Sequence, residues 1–171
     1  PVEYPPYYMS NPQPTVATLG ALRASGYTPR SIGEELRANL IDLLSSGGPM
    51  FEGIIGYDDT VIPEVQRAIL AGHSMNLLGL RGQAKTRIAR GLTGLLDEWV
   101  PVLKGAPLPE DPMDPITPQG RALVEKHGDE APVVWMHRSD RYVEKLATPD
   151  VSVADLIGDI DPIKAANEGL D

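Results

Sequence analysis

The residues best suited to chemistry in this 171-residue chain form one short run: Gly79, Leu80, Arg81, Gly82, Gln83, Ala84, Lys85 and Thr86. They read G-x-x-x-x-A-K-T, one residue away from the phosphate-cradling pattern G-x-x-x-x-G-K-[ST], with Ala84 standing where the pattern has glycine. In a loop of this kind the backbone N–H groups of residues 81–86 surround a β-phosphate, and the following helix turns its positive end toward the same charge. Lys85 would set its ammonium against the β and γ oxygens. The Thr86 hydroxyl would be one of few protein ligands of a water-rich Mg²⁺. The alanine methyl fits provided that the backbone at Ala84 stays near helical values and away from positive φ.

Such a loop needs an element on each side. Residues 74–78 (SMNLL) are short, apolar and followed at once by Gly79, which predicts a buried strand. Beyond the loop, Ile88, Leu92, Leu95, Leu96 and Trp99 fall at helical spacing, so strand, Gly-rich turn and helix make the first half of a βαβ unit. Upstream, residues 51–57 read as a short extended approach. Asp58 or Asp59 is placed to cap a helix with Val61, Ile62, Val65, Ile69 and Leu70 on its apolar stripe.

Ser31 with Glu34 forms a capping box for an earlier helix, whose face of Leu36, Leu40, Leu43 and Leu44 ends at Gly47 and Gly48. A short helix is expected within residues 15–25, stopped at Gly26. Pro1, Pro5, Pro6, Pro12 and Pro14 make residues 1–14 an extended arm. Downstream, Pro107, Pro109, Pro112, Pro115 and Pro118 predict a surface loop over residues 104–118, and Thr117 before Pro118 starts a helix reaching about His127. Residues 131–136 (APVVWM) are a second strand candidate, and Ser152 with Asp155 marks a further helix start before Gly158.

Composition narrows the function classes. With 15 Lys+Arg against 24 Asp+Glu the formal charge is −9, which argues against a broad phosphate-tracking surface for nucleic acid while leaving room for a local basic site. The absence of Cys removes disulfides, thiolate nucleophiles and zinc thiolate sites together. His73, His127 and His137 lack the spacing of a zinc site, and no G-x-S-x-G offers a hydrolase nucleophile. No apolar run approaches the roughly 20 residues of a membrane span, and the start PVEYPPYYMS has no signal-peptide character, so the chain reads as cytoplasmic with no membrane partner. Arg138, Asp140, Arg141, Glu144 and Lys145 form a mixed charge cluster, read as a solvated helix face or, more sharply, as a subunit contact.

Residues 54–86, IIGYDDTVIPEVQRAILAGHSMNLLGLRGQAKT, resemble the opening of an AAA+ ATPase module, closest to the group of the magnesium chelatase ATPase subunit and MoxR-like proteins. In that group an I-V-G segment precedes a helix ending in A-G, then the first strand and its phosphate loop. Residues 146–162 (LATPDVSVADLIGDIDP) resemble the stretch after the second strand, so the likeness covers residues 30–162. The resemblance implies a three-layer α/β/α P-loop NTPase module with a helical N-terminal extension, ATP and Mg²⁺ as cofactors, and a homo-oligomeric ring. It also implies a partner with a von Willebrand-type domain, remodelled at the expense of ATP.

By the same resemblance Ile55, Gly56 and Tyr57 would sit near the adenine, Gly79, Arg81, Gly82, Gln83, Ala84, Lys85 and Thr86 would hold the phosphates, Lys85 would serve catalysis and Thr86 the metal. The family's acidic hydrolysis motif, an apolar strand ending in acidic residues, does not follow Asp155. Asp159 and Asp161 in GDIDP lack such a strand before them. The chain is therefore expected to be the N-terminal part of the module, partial as a fold, binding ATP without hydrolysing it. It divides into the arm 1–14, a helical extension 15–50 and the ATPase part 51–171. The alternative is a non-catalytic helical interaction domain in which residues 79–86 are only a structural turn.

Overall fold

The local start and stop signals become helices where the side chains can act at short range. The computed structural model describes residues 11–145 and 148–158; most of the arm, together with Asp159 and Asp161, lies outside them. Helix α1 (Leu19–Ala24) is capped by Thr18, whose hydroxyl accepts from the Ala21 N–H. Helix α2 (Ile32–Ser46) opens on the reciprocal bonds between Ser31 and Glu34 and closes at Gly47, whose φ of 72° lies in the left-handed region that glycine tolerates best.

Helix α3 (Val61–Leu70) differs in its start: the capping position falls on Thr60, not on Asp58 or Asp59, and no side chain bonds its first turn. The stretch 51–57 that leads to it is turns and bends, not extended chain. Helix α4 spans Lys85–Gly91, and α5 (Pro118–His127) is capped by Thr117, which accepts from the Gly120 N–H at 2.9 Å. The short α6 (Ala154–Ile157) follows Ser152, which exchanges bonds with Asp155 as the sequence suggests.

The helical stripe expected to run to Trp99 breaks earlier. After Gly91 the chain tightens into a 3₁₀ turn (Leu92–Leu95), and Trp99 opens strand β1 (Trp99–Leu103). Thr93 and Gly94 are weak helix formers, and the Thr93 hydroxyl bonds back to the Arg90 carbonyl. β1 pairs antiparallel with β2 (Val133–His137), with Pro101 opposite Trp135. The Arg138 N–H reaches the Glu98 carbonyl and the Lys104 N–H the Pro132 carbonyl, both at 2.9 Å. Counting inward from those bonds, Pro101 occupies a position whose N–H would face away from β2, so the ladder loses nothing by its absence. The outward Leu103 N–H goes instead to the Glu110 carbonyl, and the outward Val133 N–H to the Ala17 carbonyl.

Residues 74–78 do not form the expected buried strand. Met75 and Leu77 are half-buried while Ser74, Asn76 and Leu78 are exposed, so the period-2 pattern of an extended chain is kept without a ladder partner among the described residues.

Two apolar clusters result. Leu40 and Leu43 of α2, Phe51, Val65 and Ile69 of α3, Ile88 of α4 and Leu95 form the larger one, which runs across the 50/51 division. Leu19 of α1, Leu103 of β1, Ala131 and Val133 of β2 form the smaller. A buried ion pair ties them together: Glu35 of α2, 2% exposed, receives both guanidinium nitrogens of Arg141 at 2.7 and 2.8 Å and the Asp97 N–H at 2.9 Å. No helix among the described residues is long and apolar enough to cross a membrane.

Candidate functional site

The loop 79–86 lies between the extended segment and α4, and α4 is anchored from below by Ile88, which is 2% exposed in the larger cluster. The loop folds back on itself. The Lys85 ammonium donates to the Gly79 carbonyl at 2.8 Å and to the Leu80 carbonyl at 2.5 Å. Gln83 Oε1 accepts the Leu80 N–H at 2.8 Å and packs so closely that a Cβ at Gly79 would stand 2.2 Å from it. Only glycine fits at that position with Gln83 so placed.

Gly82 has φ 81°, and a Cβ there would meet nothing within 4 Å, leaving the backbone open to a ligand's approach. Arg81 and Thr86 are exposed, and Thr86 makes no hydrogen bond through its hydroxyl among the described residues.

Ala84 corrects an expectation. Its φ is 53° with ψ 12°, so it adopts the left-handed region instead of helical values, the one non-glycine residue to do so among those described. The chain turns from the loop into α4 at this residue. An L-residue there carries a cost of about 1–2 kcal/mol that glycine would not.

The three residues expected near the adenine are split. Tyr57 reaches the loop, its hydroxyl 3.4 Å from the Gln83 carbonyl, a long bond, while its ring packs on the larger cluster. Gly56 takes φ 83° in the turn before it, and Ile55 stands 91% exposed.

Basic groups gather at the loop despite the acidic total. Besides Lys85 and Arg81, Arg87 lies on the first turn of α4 and donates to the Glu52 carbonyl at 3.3 Å. Arg90 is held by a two-pronged bond to Glu144 at 2.7 and 2.9 Å. That bond holds the Glu144 carboxyl below its ordinary range and raises Arg90 further.

The charge cluster after β2 is thus not a solvated helix face. It forms a 3₁₀ turn (Arg138–Arg141), in which Arg138 is buried and donates to the Gly94 carbonyl and Arg141 is spent on Glu35. Glu144 binds Arg90, and Lys145 stands 3.5 Å from Asp155.

Sequence reasoning missed two buried carboxylates that shape the molecule. Glu35 sits inside the capping-box helix, where its charge reads as one more solvated first-turn acid. Glu110, 4% exposed, accepts the Ile116 and Thr117 N–H groups at 2.7 and 2.8 Å and the Thr117 hydroxyl at 2.7 Å. The bonds from Thr117, then that from Ile116, hold the Glu110 carboxyl below its ordinary value against the opposing effect of burial.

Among the described residues no group of three His, Cys, Asp or Glu converges on a metal position. A groove of about 570 Å³ lies between α3 and the extended segment, lined by Thr60, Val61, Glu64, Ala68, Met75 and Leu77 among others, and no loop residue borders it. No family model, no curated protein and no solved structure matches the chain.

Proposed function

We propose that the chain is the Mg-ATP-binding part of an AAA+ ATPase module of the magnesium chelatase and MoxR-like type. The observation that carries this reading is the loop 79–86 itself: a G-x-x-x-x-A-K-T run curled so that a lysine ammonium lies over its first two carbonyls, beside an open Gly82 backbone. Residues 81–86 would give their N–H groups to the phosphates. Lys85 would turn from the two carbonyls to the β and γ oxygens, where phosphoryl-transfer chemistry depends on positioning and electrostatics.

Thr86 fits an ion that keeps most of its water. Mg²⁺ would take its other ligands from phosphate and solvent, no group of carboxylates converging at the loop among the described residues. Tyr57, whose hydroxyl reaches the Gln83 carbonyl, would flank the nucleotide. The ring assembly and a remodelled partner with a von Willebrand-type domain belong to the same proposal and rest on the family likeness.

The test is calorimetric titration of Mg-ATP into the wild-type chain and into Lys85→Ala, after both are shown to melt alike. Saturable heat in the wild type that falls at least about tenfold in affinity in the variant, a loss of some 1.4 kcal/mol, is the expected result. Silence in both would favour the helical interaction domain with residues 79–86 as a turn.

A further inference from the structure

The Gln83 side chain folds back onto the start of the loop. Its Oε1 accepts one backbone N–H, 2.8 Å from the Leu80 nitrogen, and is packed against Gly79. Lys85 is engaged at the same place, with two of its three N–H bonds directed at the Gly79 and Leu80 carbonyls. The two contacts grip one peptide unit, Gly79–Leu80: Gln83 accepts its N–H from Leu80, and Lys85 donates to its C=O at Gly79.

We propose that Gln83 and Lys85 form an internal latch on the phosphate loop, which an incoming nucleoside triphosphate must displace; this rests on the reading of residues 79–86 as a phosphate loop. To draw the whole ammonium onto its oxygens, a ligand phosphate has to compete with the carbonyls that Gln83 helps to fix. Gln83 itself is exposed, so its amide can swing into water and exchange one hydrogen bond for another. The latch therefore lowers affinity modestly and keeps the empty loop in one shape.

Mg-ATP titrations of wild type, Gln83→Ala and Gln83→Glu, with Lys85→Ala beside them, test it. Gln83→Ala is expected to tighten binding by about two- to tenfold, the equivalent of one neutral hydrogen bond. Gln83→Glu should weaken it by more than about tenfold, because a carboxylate holds Leu80 and Lys85 harder and repels phosphate. A second readout needs no affinity: the Leu80 amide resonance of the ligand-free chain should move in Gln83→Ala in the direction that saturating Mg-ATP moves it in the wild type.

Unchanged or weaker binding in Gln83→Ala, with binding still lost in Lys85→Ala, overturns the latch and leaves the phosphate loop standing. No binding by wild type and Gln83→Ala alike overturns both.

Discussion

The turns that lead into α5 and α4 each rest on a side-chain oxygen that accepts from the backbone. Before α5 the oxygen belongs to Glu110, which is charged, 4% exposed and shared among three donors, with Gly120 so close that a Cβ there would lie 2.0 Å from the carboxylate. Before α4 it belongs to Gln83, which is neutral, exposed and holds a single donor. A buried charged acceptor with several part-buried donors makes a turn costly to open, since leaving it loses several charge-assisted bonds at once. An exposed neutral acceptor with one donor makes a turn whose contacts a ligand can replace.

Glu35 gives the largest test of that contrast, being the second buried carboxylate. Glu35→Ala strands Arg141 and the Asp97 N–H in the interior and should cost about 3–5 kcal/mol in urea unfolding. A loss below about 1 kcal/mol would put Glu35 with Gln83 among the replaceable contacts.

The Glu110 turn is sharpened by pH. Its folded pKa lies below the ordinary 4.5, so its contribution is full above that pH and is lost as pH falls through the folded value. Wild type should therefore exceed Glu110→Gln in melting temperature at neutral pH, and the gap should close as pH falls below the ordinary carboxylate range. A gap independent of pH would mean that the charge does not matter there.

Ala84→Gly carries the smallest effect. Relief of the left-handed alanine, offset by the freedom glycine brings to the unfolded chain, should raise stability by about 0.5–1 kcal/mol, or about 1–4 °C in Tm by calorimetry. A fall in Tm would show that the loop does not need that conformation.

Signals confined to a few neighbouring residues were legible in the sequence. Ser31 with Glu34, Gly47, Thr117 before Pro118, and Ser152 with Asp155 act within one helical turn, and each stands where the pattern places it. β1 was not legible because Leu92, Leu95, Leu96 and Trp99 continue a helical spacing by accident, and Pro101 argues against a strand until its register opposite Trp135 is known. Ala84 could be read as a departure from a pattern, but its φ of 53° could not. Glu35 and Glu110 look in sequence like other surface acids; their partners lie on segments that only the fold brings near.

The smaller cluster is closed by residues from opposite ends of the described chain. The Trp135 indole bonds the Val16 carbonyl, the Leu19 N–H bonds the Ala131 carbonyl, and Leu19 is fully buried. The larger cluster needs nothing beyond Leu95. During synthesis at about 5–20 residues per second, α1 therefore leaves the ribosome roughly 5–20 s before the strand that covers it. The larger cluster can close in that interval, while Leu19 and Leu22 wait in solvent. Contacts of such sequence separation form slowly, and the apolar residues of α1 stay uncovered on the nascent chain until Ala131 and Val133 emerge.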